Sequence, residues 1–249
     1  MHGHSLLILF FYLLACASCS VKEDRSACPC ILSLYTSEVP GKCVAVQVWN
    51  TDGGCVAGGE TDGGLLELEV PRGHLLVTAC SGLASCQLLG GVVSIPRGAQ
   101  MDELCAWRAE VDCSGEEASQ LLFLHKQWAT VNLQLQNYPD TGPAPVLKIE
   151  GMVNGYDLAS GLPVEGGFLF RPTLGGSGDV AFRLPRQMGG ELLLAVGPKV
   201  LAIGDMIVQS GYDWTAPDLD DIYMLVDYLD STVKIWISDW EEVAYEENF

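Results

Sequence analysis

Positive charge is scarce in this 249-residue chain: 13 Lys and Arg stand against 32 Asp and Glu, for a formal charge of −19. That excludes a nucleic-acid ligand, because holding a phosphate backbone takes cationic side chains that displace its counterions. Docking on anionic lipid is disfavoured for the same reason. The excess acid reads as a self-repelling, solvated surface, including the run from Asp213 to Phe249 with eleven Asp or Glu and one Lys. Histidine is also rare. Beyond His2 and His4 only His74 and His125 remain, and both read as ordinary strand residues. There is no Gly-x-Ser-x-Gly elbow, phosphate loop or His-x-x-x-His pair, so no catalytic residue and no cofactor are assigned. The "CPC" at Cys28 and Cys30 lacks the spaced second pair of a structural zinc site. "DLDD" at Asp218 to Asp221 lacks the glycine and the terminal glutamate of a calcium loop. No metal ligand is assigned. Cysteine is missing altogether from Ser114 to Phe249.

Long apolar runs are missing except for Leu6 to Leu14, which at nine residues is too short for a helix to span roughly 30 Å of hydrocarbon. Its length suits the core of a secretory signal, although "MHGHS" before it carries no Lys or Arg. Bacterial lipoproteins are cut just before a cysteine that then receives lipid, and two cysteines compete for that place. "LLAC" offers Cys16, and "CASC" offers Cys19 behind Ala17 and Ser18. Cleavage before Cys19 leaves eight later cysteines, an even number able to pair: Cys28, Cys30, Cys43, Cys55, Cys80, Cys86, Cys105 and Cys113. Cleavage before Cys16 leaves an odd thiol, which favours Cys19 with Cys16 as the alternative. One acyl chain, at about 0.8 kcal/mol per buried methylene, holds only marginally, but a lipoprotein cysteine carries two or three.

With 49% hydrophobic residues the chain can bury a substantial core. Its periodicity is that of strands with one buried face: Val44, Val46 and Val48; Leu66, Leu68 and Val70; Val131, Leu133 and Leu135; Val233, Ile235 and Ile237. "TDGG", at Thr51 to Gly54 and again at Thr61 to Gly64, supplies the positive φ of tight hairpin turns. A turn or two near Met101 to Trp107 is the only helical candidate. The expected fold is all-β, two sandwiches in series. Residues 1–18 are read as signal, 19–27 as tether, 28–118 as a disulfide-rich first sandwich and 119–249 as the second. The confinement of cysteine to the first part and the small polar run "DCSGEEASQ" mark that boundary.

Several segments resemble the fimbrillin-associated (minor fimbrium) anchor subunits of Bacteroidales. They are "CSVKEDRSACPC", "VAVQVWNTDGG" with "LELEVPRG" as a first-domain hairpin, "LHKQWATVNLQL", "IEGMVNGYDLASGLPVEGGF", "FRLPRQ" and "ISDWEEV". Lys22, Glu23 and Asp24 resemble the surface-export signal of Bacteroidota lipoproteins. The resemblance implies two tandem transthyretin-like β-sandwiches and a non-enzymatic outer-membrane lipoprotein, anchored through Cys19. It further implies that the protein holds a fimbrium, limits its length and contacts fimbrillin subunits by strand addition. The alternative is a surface lipoprotein that binds glycans through Trp49, Trp107, Trp128, Trp214, Trp236 and Trp240.

Overall fold

The computed structural model of the chain describes residues 28–36, 43–138, 145–238 and 245–248. The signal, Cys16, Cys19 and the Lys22, Glu23, Asp24 motif lie outside the described residues, as does Trp240. The first part holds β1 (Cys30–Thr36), β2 (Val44–Trp49), β3 (Cys55–Thr61), β4 (Gly64–Val70), β5 (His74–Ser81), β6 (Gln87–Leu89), β7 (Val92–Ser94), β8 (Cys105–Asp112), β9 (Glu117–Leu122) and β10 (His125–Lys126). Then come β11 (Trp128–Gln136), β12 (Leu147–Asp157), β13 (Leu162–Phe170), β14 (Asp179–Pro185), β15 (Leu192–Val196), β16 (Lys199–Leu201), α1 (Ile203–Gln209), β17 (Ile222–Asp227), β18 (Thr232–Ile237) and β19 (Tyr245–Asn248).

The alternation in the sequence becomes alternation of burial. Val44, Val46 and Val48 face inward from β2, and Val131, Leu133 and Leu135 from β11. A three-stranded sheet, β4-β1-β9, packs on a five-stranded sheet, β10-β8-β5-β2-β3. The core between them includes Leu32, Leu34, Val46, Val77 and Val111. The second sandwich packs β14-β11-β17-β18-β19 on β16-β15-β12-β7-β6. Its core includes Val131, Ile149, Phe168, Phe182, Leu194, Met224 and Ile235. The all-β reading therefore holds, and so does the pair of sandwiches.

The two sandwiches are not simple beads. The boundary expected between residues 118 and 119 falls inside β9, which pairs in parallel with β1 from Ile31↔Glu117 to Thr36↔Leu122. Strand β10 pairs with β8, so the first sandwich runs to Lys126. Between β5 and β8, however, the chain leaves it. The β6–β7 hairpin joins the second sandwich, where β7 pairs with β12 through Gly155↔Ser94, Tyr156↔Val93 and Asp157↔Val92. Strand β12 is long enough to take β15 over 147–151 and β7 over 155–157, while β13 runs along its other edge. The "NGY" glycine allows this docking, because a Cβ on Gly155 would lie 2.4 Å from the Val93 carbonyl oxygen.

One local expectation holds and three are corrected. The first "TDGG" is a hairpin turn between β2 and β3, with Gly53 at φ +77° and Asn50 Oδ1 accepting from the Asp52 and Gly54 N–H groups. The second is a corner. Strand β3 pairs with β2 but β4 pairs with β1, so Gly63 and Gly64, both at positive φ, carry the chain from one sheet to the other. Residues 101–104 are not helical and β8 follows them. The one helix among the described residues is α1, which buries Ile203, Gly204, Met206 and Ile207 and packs on β15. At seven residues it is too short to show a helical period in the sequence.

Candidate functional site

The eight cysteines expected to pair divide by environment. Cys28, Cys43 and Cys55 are exposed, Cys105 is half-buried, and Cys30, Cys80, Cys86 and Cys113 are buried. Among the described residues no disulfide joins them. They do not all serve the first core: Cys30 and Cys113 sit within it, whereas Cys80 and Cys86 belong to the second. Burial pushes the Cys80 thiol up to about 12 and the Cys86 thiol up to about 11, so both stay protonated at neutral pH. Segregation of cysteine in the sequence thus did not mark a domain, because the segment around β6 and β7 crosses between cores.

Two buried polar residues sit beside passages of the chain between the sandwiches, Asp102 at the one from β5 to β6 and Arg186 at the one from β10 to β11. Asp102, 4% exposed, accepts from the N–H groups of Ala84, Ser85 and Cys86 at 2.7 Å each, and from Ser85 Oγ at 2.9 Å. It thereby pins the loop that leads from β5 to β6. Burial would raise its carboxyl, but these hydrogen bonds outweigh it and hold it down at about 2. The folded value lies below the unfolded one, so the stabilisation is complete above the ordinary carboxylate range near pH 4 and is lost as pH falls through about 2. We expect Asp102→Asn to cost about 2 kcal/mol near neutrality and much less at pH 2, measured as urea midpoints at the two pH values. An equal cost at both would show that the carboxylate charge is not what matters.

The second is Arg186, 8% exposed, between β14 and the 214–217 segment. Its Nε donates to Gln127 Oε1 at 2.8 Å, Nη1 to the Trp214 carbonyl, and Nη2 to the carbonyls of Ala216 at 2.7 Å and Pro217 at 3.1 Å. Around it, Lys126 donates its backbone N–H to Asp218 at 2.7 Å and its Nζ to Asp221 at 2.6 Å. His125 Nδ1 lies 2.9 Å from Asp218. Burial works against the Asp218 carboxylate, yet the His125 and Lys126 hydrogen bonds lower it below its ordinary value. Asp227, 6% exposed, accepts from Gln136 and Asn137. Asp218 stays on the solvated surface expected of "DLDD" while also accepting from the chain, whereas Asp221 is half-buried and Asp227 buried, holding the chain from within. Gln127 and Arg186 come from "LHKQW" and "FRLPRQ", segments that carried the family resemblance without revealing this contact.

A cleft of about 370 Å³ opens beside this junction, lined by Trp107, Arg108, His125, Tyr156 and Arg186 among others. The tryptophans do not gather there. None of the five described is exposed: Trp49 donates Nε1 to Thr78 Oγ1 at 3.1 Å, Trp214 stacks against Tyr212 at 4.6 Å, and Trp236 is buried. Trp128 lies under Lys126 with 5.2 Å between Nζ and ring centroid. They are packing residues rather than a stacking platform.

On the flank of the first sandwich lies an open seam. Strand β10 pairs with β8 only at Cys105 and Ala106, and among the described residues no strand pairs with the outer edge of β9. Tyr35 of β1 has Leu65 of β4 on one side and Leu121 of β9 on the other, and these three are 46%, 50% and 40% exposed. Phe123, 52% exposed, extends the row beyond β9. An apolar row beside an edge that no described strand pairs is a surface suited to being covered.

No known protein family and no curated protein sequence matches the chain. Solved structures do match. The fimbrial anchor protein Mfa2 from Porphyromonas gingivalis superposes with a TM-score of 0.62 at 12% identity, over 88% of this chain and 100% of that one. A DUF1812 protein from Bacteroides thetaiotaomicron, for which polysaccharide binding has been proposed, gives 0.59 at 14% identity over 86% and 99%. A protein from Bacteroides ovatus proposed as an adhesin gives 0.60 at 14% identity over 86% and 95%. The chain thus shares the fold of these Bacteroidales surface proteins across almost their whole length.

Proposed function

We propose that this chain is a non-enzymatic, lipid-anchored outer-membrane protein that holds a fimbrium to the cell surface and limits its length. The observation that carries the reading is the whole-length fold match to a fimbrial anchor protein, in a chain whose residues before β1 read as a lipoprotein signal and tether. In this reading Cys19 carries the lipid, Cys16 leaves with the signal, and Lys22, Glu23 and Asp24 direct export to the surface. The fimbrillin partner contacts the chain by strand addition at the β9 edge, where backbone hydrogen bonds give affinity and the Leu65, Tyr35, Leu121 row gives apolar contact. Glycan binding has less behind it, since none of the five described tryptophans is exposed.

The test is deletion of the gene in the native host with complementation. Deletion should release fimbriae into the medium, and fimbriae still cell-bound at normal length would overturn the anchor reading. The β9 contact is tested by Ser119→Pro. Ile31 N–H donates to the Glu116 carbonyl, a register that turns the Ser119 N–H away from β1. Proline there blanks the outer edge while leaving the β1 ladder intact. The variant should reach the surface at normal levels yet fail to retain fimbriae. Full retention would place the contact elsewhere.

A further inference from the structure

Cys30 opens β1 in the three-stranded sheet, and Cys113 directly follows β8 in the five-stranded one. Both are 0% exposed and belong to the same core, where the two thiols are near enough to influence each other. The backbone on either side is already fixed. Cys113 N–H donates to the Gly73 carbonyl at 2.8 Å, Ile31 N–H donates to the Glu116 carbonyl at 2.9 Å, and Cys30 stands opposite Val70. Buried cysteines often serve merely as small apolar residues. Two of them buried in one core, on strands from facing sheets whose neighbouring backbone is tied together, in a chain read as exported, are placed to pair.

We infer that Cys30 and Cys113 are joined by an inter-sheet disulfide in the mature protein, an inference that rests on the export reading above but not on the fimbrial role. The oxidant is the disulfide of a thiol–disulfide oxidoreductase in the envelope. The thiolate of one cysteine attacks a sulfur of that disulfide to give a mixed disulfide. The second thiolate then displaces the catalyst, which leaves with the two electrons and takes up two protons in place of those the protein thiols gave up, so that it ends as a dithiol. The exchange belongs to the chain before it folds. In the folded state burial, with Cys30 beside it, pushes the Cys113 thiol up to about 11, where little thiolate exists to react. The finished bond is shielded for the same reason. It closes the chain from residue 30 to residue 113, including the whole β6–β7 excursion, and so removes much of the freedom of the unfolded state.

The experiment uses the full mature protein from native-host envelopes, alkylated with iodoacetamide and digested with trypsin without reductant. Peptides 26–42 and 109–126 should appear as one linked species, with fragmentation placing the bond on Cys30 rather than Cys28. Alkylated Cys113, or Cys113 linked to any other cysteine, would overturn the assignment. Cys30→Ala, Cys113→Ala and the double variant should each lower the thermal midpoint by the same ~10 °C, because either single change already removes the bond. Losses that add in the double variant would equally count against it. Whichever way these results fall, fimbrial retention is read separately, so the failure of one proposal is not the failure of the other.

Discussion

Cys19→Ala is expected to abolish palmitate labelling of the protein in its native host and to shift it almost entirely from the membrane to the soluble fraction. The effect is expected to be large because, in the lipoprotein reading, the acyl chains on this cysteine make the attachment. No described helix is long and apolar enough to cross a membrane, and a charge of −19 repels anionic headgroups. In that reading the acyl chains carry the attachment. At about 0.8 kcal/mol per buried methylene, two or three chains give stable anchoring where one does not. Cys16→Ala should leave labelling intact, since Cys16 is read as part of the discarded signal. If Cys16→Ala alone abolishes the label, cleavage occurs three residues earlier, and an odd number of later cysteines remains to be explained.

The second large effect is expected at Arg186. Its guanidinium serves four acceptors, Gln127 Oε1 and the carbonyls of Trp214, Ala216 and Pro217. Arg186→Ala strands these acceptors in a site only 8% exposed. Each buried acceptor left without a donor costs about 1–3 kcal/mol, partly relieved where water can enter. A total near 4 kcal/mol is expected, or a fall of about 10 °C in the thermal midpoint. Arg186→Met keeps the aliphatic stem and should lose nearly as much, which separates hydrogen bonding from packing. Arg186→Ala combined with Gln127→Ala should cost less than the sum of the two, because both break the same contact. A loss below about 1 kcal/mol for Arg186→Ala would mean that the 214–217 segment is held by other means.

What could be read in the sequence was what depends on neighbours along the chain. The inward faces of β2, β11 and β18 were legible because a strand buries every second residue whatever it pairs with. The first "TDGG" was legible because turn geometry is local. What could not be read depends on partners far away. The identical second "TDGG" becomes a corner only because β4 finds β1 instead of β3. Strand β9 looks like linker, with "GEEASQ" polar and small, and is drawn into the first sandwich by parallel pairing to a strand some eighty residues earlier. Strands β6 and β7 are three residues each, too short for alternation to register. The burial of Asp221 and Asp227 could not be read because no local pattern tells a carboxylate whether an N–H will reach it. The junction built on Asp102, Gln127 and Arg186 was hidden for the same reason, although two of those residues stood within segments that carried the family resemblance.

The route of the chain between its two sandwiches has a mechanical side. Two domains strung on one linker can swing about it. Here the chain passes between them three times: out from β5 to β6, back from β7 to β8, and out again from β10 to β11. A bending motion would have to strain three strands of backbone at once and pull β7 from β12. A molecule threaded this way answers a sideways pull as one lever, the force on one sandwich passing to the other through three stretches of backbone instead of being lost at a hinge.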